Sequence, residues 1–436
     1  MMRRLASVSP ESTVFIFLAF EGPDRYSLAG GLGTRMAGLT EALARAGYET
    51  HFYFIGDPNA PGEGRHPDIP LVLHRWCQWI SRYYPVGVYQ GEEFKVRDFT
   101  HMVCHHIADS IMPGILAAGK QAIIQAEEWQ TADALCATSD LLHARGMRDR
   151  AFFVWNANND MGFERVNWGR LSYVALLTTV SHYMKHRMWQ QGVDPAAIPN
   201  GIPESLLTGP DAGIVFDLRR RMNCDALLLK VGRFDPDKRW DMAIDAVAAM
   251  RDRGTRTTLL ARGGAEGYGG QVLARAGSRG LRISPVVVDS SDGFRPEDYV
   301  SFIGAASGAD VVDLRFFMSP DVLGIANQAA DAVLANSGHE PFGLVGLEAM
   351  AAGGVAFTGA TGEEYARHLE NAVVLQSADA GEIAYYVRWL KQHPEVERQI
   401  RENGRATAAR YVWAEIIKRY TAALECALGD PGQGSG

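Results

Sequence analysis

Short apolar runs alternate with stretches of helical periodicity along the chain. Residues 14–19 are continuously apolar, 36–46 repeat apolar positions at helical spacing, and 50–55 are strand-like again. This alternation predicts parallel β-α-β units. Further apolar runs at 122–124, 152–154 and 176–180 make the first half one doubly wound sheet. The turn-rich segment Ile198-Pro199-Asn200-Gly201-Ile202-Pro203 closes it, and the run at 227–231 opens a second series, with strands expected at 257–260, 286–288, 332–335 and 355–358. A hinge within 203–222 divides the chain into domains at 1–205 and 206–410. An amphipathic helix follows over 411–428, then a Gly-rich disordered tail over 429–436. The stretch 74–84 reads as a helix turning Trp76, Ile80 and Tyr83 inward, and 182–187 as a solvated basic helix face. Two such α/β halves facing each other would leave a cleft, with ligands beyond the carboxyl ends of the strands.

At 436 residues the chain exceeds the size at which single cores stop growing, which supports two domains of about 200 residues each. A net charge of −8 offers no global attraction to nucleic acid or anionic lipid, so an anionic ligand needs a local site. The apolar run at 14–20 is too short for a membrane span and is not laid out as a signal peptide. Five scattered cysteines, odd in number and without a CxxC pair, suggest neither a disulfide framework nor a zinc site, and fit a cytoplasmic protein.

Candidate chemistry gathers after the expected strands. Glu348 is the only formal charge between Glu340 and Glu363, and the apolar spacing of Leu344, Leu347 and Ala351 places it on a helix. An unpaired carboxylate there would cost several kcal/mol to bury, so a polar partner is expected. Gly30-Gly31-Leu32-Gly33 opens the first long helix, where backbone N–H groups of Gly31 and Gly33 could approach a phosphate or simply form a tight turn. After the strand at 227–231, Arg233 and Lys238 put two cations where a diphosphate could be gripped, with Asp237 as a helix cap and a solvated surface pair as the alternative. Asp235-x-Asp237 reads as turn and cap chemistry rather than a metal site. Trp155 and Asn156 could pack against and hydrogen-bond a sugar, or belong to an Asn-rich turn. Glu127 and Glu128 could act as acid and base or favour a helix start.

Together these segments resemble the retaining nucleotide-sugar glycosyltransferases of family GT4, including glycogen-synthase-like members. Glu340 and Glu348 match the Glu-x7-Glu motif of that family, residues 231–238 its diphosphate loop, and residues 30–33 its glycine loop. The resemblance implies the GT-B fold, two facing Rossmann-like doubly wound domains with an interdomain cleft. The first would be the acceptor domain and the second the nucleotide-sugar donor domain, with the last helix crossing back to the first. By the same resemblance, Arg233 and Lys238 hold the donor diphosphate and Glu348 the ribose hydroxyls. Glu340 contacts the transferred sugar, and Phe342, Gly343, Leu344 and Val345 complete the donor contacts with Gly31 and Gly33. Glu128, Trp155 and Asn156 fall on the acceptor side. No metal and no cofactor is implied, the nucleoside diphosphate sugar being a co-substrate. Leu28 and Thr34 stand where glycogen and starch synthases carry a lysine and an acid, and these departures count against polyglucan elongation.

The expected protein is therefore a cytoplasmic hexosyltransferase. It would move a hexose from a nucleoside diphosphate sugar to an acceptor hydroxyl with retention, without nucleic-acid partner or integral membrane segment. The alternatives are a nucleotide-sugar epimerase or phosphorylase on the same fold, or a non-catalytic nucleotide-sugar sensor.

Overall fold

The computed structural model describes residues 8–264, 266–288 and 293–429. The chain divides into two compact units, residues 1–201 with 413–436, and residues 202–412. The first break lies a few residues before the boundary read from the sequence.

Eight strands build the sheet of the first unit: β1 (Thr13–Leu18), β2 (Glu49–Ile55), β3 (Glu63–Arg65), β4 (Leu71–Trp76), β5 (Gln121–Glu127), β6 (Ala151–Ala157), β7 (Leu176–Thr179) and β8 (Ala196–Ala197). Their order is β3-β4-β2-β1-β5-β6-β7-β8, and every pairing is parallel except β3 with β4. All of β1 is buried, as expected for a strand covered by helices on both faces. The first helix, α1 (Gly31–Arg45), opens at the glycine loop. The helix expected over 74–84 is instead the end of β4 followed by a short helix at Gln78–Ser81. Ile80 is buried there, but Tyr83 is 78% exposed, because the helix ends at Ser81 and Tyr83 stands on the turn beyond it. Residues 182–187 do lie on a helix, His182–Trp189.

The second unit has seven parallel strands: β9 (Ala226–Val231), β10 (Thr257–Arg262), β11 (Ile283–Val287), β12 (Val311–Arg315), β13 (Ala332–Ala335), β14 (Ala356–Thr358) and β15 (Val373–Val374), ordered β11-β12-β10-β9-β13-β14-β15. The apolar pattern did not show β12, whose run is interrupted by the buried Asp313, paired with Arg315 at 2.6 Å. Helix α2 (Trp240–Asp252) buries Trp240, Ile244 and Val247 in the core of this unit. Helix α3 (Leu344–Ala351) carries Glu348. The side-by-side placement of β9 and β13, with Ala332 opposite Leu228, brings the loops at their carboxyl ends together.

Helix α4 (Trp413–Gly429) belongs to the first unit. The Trp413 ring lies so close to Gly38 and Gly201 that a Cβ on either would stand 2.3 or 2.4 Å from it. Further along α4, the Tyr420 hydroxyl donates to Gln125 Oε1 on β5. Beyond Gly429, the tail expected over 429–436 lies outside the described residues.

Candidate functional site

In the second unit, the loop leaving β9 turns sharply. The Asp235 carboxylate accepts the Asp237 N–H at 2.8 Å, and the chain runs through a single 3-10 turn into Arg239, whose φ of +52° precedes α2. Asp235 is thus the local cap. Asp237, expected to cap the helix, faces the β13 loop instead: its carboxylate accepts the His339 N–H at 3.1 Å and its carbonyl the Gly338 N–H at 2.7 Å. A Cβ on Gly338 would stand 2.8 Å from Asp237 Oδ1, so a larger residue there would push the Asp237 carboxylate aside. Its consequence is an ion pair across the two loops, Lys238 Nζ to Glu340 Oε2 at 2.8 Å. Arg233 is exposed, and its guanidinium has no partner among the described residues. Its carbonyl accepts the Trp240 indole N–H at 2.8 Å, which anchors the loop to the core.

Glu340 leads into α3. Gly343 has φ +81°, and α3 begins behind it without a side-chain cap among the described residues. Phe342, Gly343, Leu344 and Val345 all lie at this end. Glu348 is half-buried, and its carboxylate has no hydrogen-bond partner among the described residues. Burial pushes its pKa up to about 7. Two residues that the sequence reading missed brace the helix start. Tyr365 donates its hydroxyl to the Gly343 carbonyl, and a Cβ on Gly343 would stand 2.6 Å from Glu363 Cγ. Glu363 accepts the Thr361 N–H at 3.2 Å through one oxygen, while the other is buried without a partner among the described residues. Burial, with the Glu340 charge adding, pushes this carboxyl up to about 7. The available signal was position: Glu363 follows β14, the strand beside β13.

The first unit treats its charges differently. At the glycine loop, the Glu21 carboxylate occupies the place expected for a phosphate. It accepts the N–H groups of Gly30 at 2.8 Å, Gly33 at 3.0 Å and Ala29 at 3.2 Å, together with the Tyr89 hydroxyl. The Gly33 amide expected at the donor is therefore committed within the chain, and a phosphate beside it would meet a buried carboxylate. Gly31, at the first position of α1, takes no part in this cradle.

Trp155 and Asn156 also depart from expectation. Both are fully buried, because β6 is an interior strand with β5 and β7 on either side. The Trp155 indole donates to the Glu128 carbonyl at 3.0 Å and meets Trp168 edge to face, leaving no ring face for a sugar. Asn156 donates to Glu127 at 2.9 Å and accepts from Thr178 at 2.9 Å. Glu127 is the hub, held also by Gln125, by Asn158 at 2.7 Å and by Arg35 Nε at 3.3 Å. Arg35 in turn reaches Asn200. Glu128 sits at φ +66° and accepts the Asn158 N–H at 2.7 Å, while burial pushes its pKa up to about 8.

The two Rossmann-like α/β units have the GT-B fold of the solved structures they match. Residues 220–407, within the second unit, match the family model described as "Glycosyl transferases group 1". Over 180 residues the chain is 34% identical to the D-inositol 3-phosphate glycosyltransferase of Actinosynnema mirum, a match covering 39% of this chain and 37% of that protein. Among solved structures, sucrose-phosphate synthase from Thermosynechococcus elongatus superposes with a TM-score of 0.66 at 19% identity, over 95% of this chain and all of that one. Anabaena HepE in complex with UDP gives a TM-score of 0.62 at 14% identity over 95% of this chain and 100% of that one. No helix among the described residues is long and apolar enough to cross a membrane.

Proposed function

We propose that the protein is a retaining hexosyltransferase that moves a hexose from a nucleoside diphosphate sugar to an acceptor hydroxyl without needing a metal ion. The observation that carries this reading is the Lys238–Glu340 pair at 2.8 Å, on loops that also present Arg233 and lead to Glu348 on α3, both without a side-chain partner among the described residues. A donor diphosphate would take Arg233 and Lys238 as counter-ions and release Glu340 toward the hexose. The ribose hydroxyls would donate to Glu348, which needs donors rather than a countercharge. In the chemical step the bond between C1 and the phosphate oxygen breaks, with its electron pair moving to the diphosphate. The acceptor oxygen bonds to C1 on the same face, and its proton passes to the departing phosphate oxygen. Arg233 and Lys238 offset the charge that develops there, a role worth about 3 to 4 kcal/mol per donor removed. The five free thiols suit a reducing compartment, and a cytoplasmic site of action belongs to the same proposal.

The test is incubation with UDP-, ADP- and GDP-sugars and candidate acceptors, following release of the nucleoside diphosphate and the anomeric configuration of the product. Release that depends on acceptor, with retention and with undiminished rate in chelator, is the expected result. Tight donor binding without any turnover would replace the transferase by a sensor. Conversion of the donor sugar without transfer would favour an epimerase.

A further inference from the structure

Beneath the donor loops lies a cation that the mechanism above does not use. Lys230, near the end of β9, is 3% exposed, although its charge would ordinarily keep a lysine at the surface. Its ammonium donates to the Leu334 carbonyl at 3.1 Å and to Asn336 Oδ1 at 2.6 Å, and it lies 5.4 Å from the centre of the Trp240 ring. Each partner is neutral, and among the described residues no carboxylate lies within ion-pair distance. The charged groups whose fields reach it are Lys238, Arg239 and Glu340, two cations against one acid. Burial, with the fields of Lys238 and Arg239 adding to it, accordingly pulls its pKa down to about 7.

The position matters as much as the burial. Leu334 is on β13, Asn336 starts the loop to Glu340, and Trp240 holds the Arg233 carbonyl. Lys230 therefore joins the roots of both loops proposed to grip the donor. A buried ammonium held only by dipoles gains most from an anion arriving nearby, since the low local dielectric strengthens their attraction. A nucleoside or a neutral sugar supplies no such anion.

We propose that Lys230 is a specificity-determining residue that makes this site select a diphosphate, its uncompensated charge being matched only when the anionic part of the ligand binds at the ends of β9 and β13. This rests on the donor-site reading given above. Titration calorimetry with UDP, ADP and GDP, and with the matching nucleosides, tests it on the full chain. Lys230→Met keeps the length of the side chain and removes the charge. Asn336→Asp keeps the lysine and gives it an internal counter-ion, so the two variants reach the same end by different routes. For the nucleoside diphosphate that the wild type binds best, both variants should weaken binding about tenfold or more, while nucleoside affinity changes less than about twofold. Equal losses for diphosphate and nucleoside would make Lys230 a packing residue only and overturn the proposal, as would full diphosphate affinity in whichever variant folds. A wild type that binds none of the diphosphates would instead remove the donor-site reading, and this inference with it.

Discussion

Around the loops described above, the two units treat their acidic groups in opposite ways. In the first, Glu21 and Glu127 are saturated by the chain itself, one by backbone amides and the other by an arginine and three amide side chains. In the second, Glu348 has no protein partner, one oxygen of Glu363 is bare, and Lys230 has no counter-ion among the described residues. Saturated groups hold loops and strand ends in place. Unsaturated ones carry an unmet desolvation cost that a ligand can relieve, which is why they support the proposed donor side.

The severest test of this contrast is Glu127→Gln. Breaking the hub leaves the buried Arg35 without its acid, and stability should fall by about 3 kcal/mol, read as a lower urea midpoint. An unchanged midpoint would mean that the first unit does not depend on its polar network. Next, Lys238→Ala and Arg233→Ala should each lower kcat about a hundredfold while the fold survives, measured as nucleotide release. Wild-type rates in either variant would sink the assignment of these cations.

A smaller effect separates the two glutamates of the motif. Glu348→Gln should weaken donor binding about tenfold with a lesser effect on kcat, whereas Glu340→Gln should act mainly on kcat. Equal effects of both on binding and turnover would erase the division of roles.

The most gradual effects are pH slopes of at most about 1.4 kcal/mol per pH unit, running in opposite directions. The raised carboxyl of Glu348 contributes stability that is whole below pH 4.5 and is lost as pH rises through about 7, so Glu348→Gln should flatten that limb. In the first unit His74 is buried against Tyr53 and His51, and burial, with the neighbouring histidines adding, pulls its pKa down to about 3. Folded His74 stays neutral while the unfolded chain takes up a proton below pH 6.5, so stability falls as pH drops from 6.5 toward 3. His74→Phe should flatten this acid limb. Unfolding midpoints across pH for the wild type and both variants decide the matter.

Much of the fold was legible because parallel strands covered on both faces are built around short continuous apolar runs. β1, β5, β9 and β13 announce themselves in this way. β4 and β12 did not, since one carries His74 and Arg75 near the sheet edge and the other a buried aspartate with its own arginine. At the candidate site, Arg233 and Lys238 were visible through their place after a strand, Glu348 through its isolation on an apolar helix, and Glu340 through the resemblance to the family motif. Glu363, Tyr365, Glu21 and Arg35 were not, because what makes them matter is which distant groups they meet. Trp155 shows the opposite error: a residue placed at a strand end by the pattern, whose neighbouring strands close over it.

The sequence by itself determined the two α/β units, most of their central strands and the lone acid on an apolar helix, since periodicity and charge spacing are local properties. Tertiary structure decided which charges are satisfied. Whether a carboxylate becomes a brace or a waiting ligand site depends on what adjacent strands carry to within about 3 Å of it, the range of a hydrogen bond. Glu21 finds three amides in its own unit, and Glu348 finds nothing among the described residues.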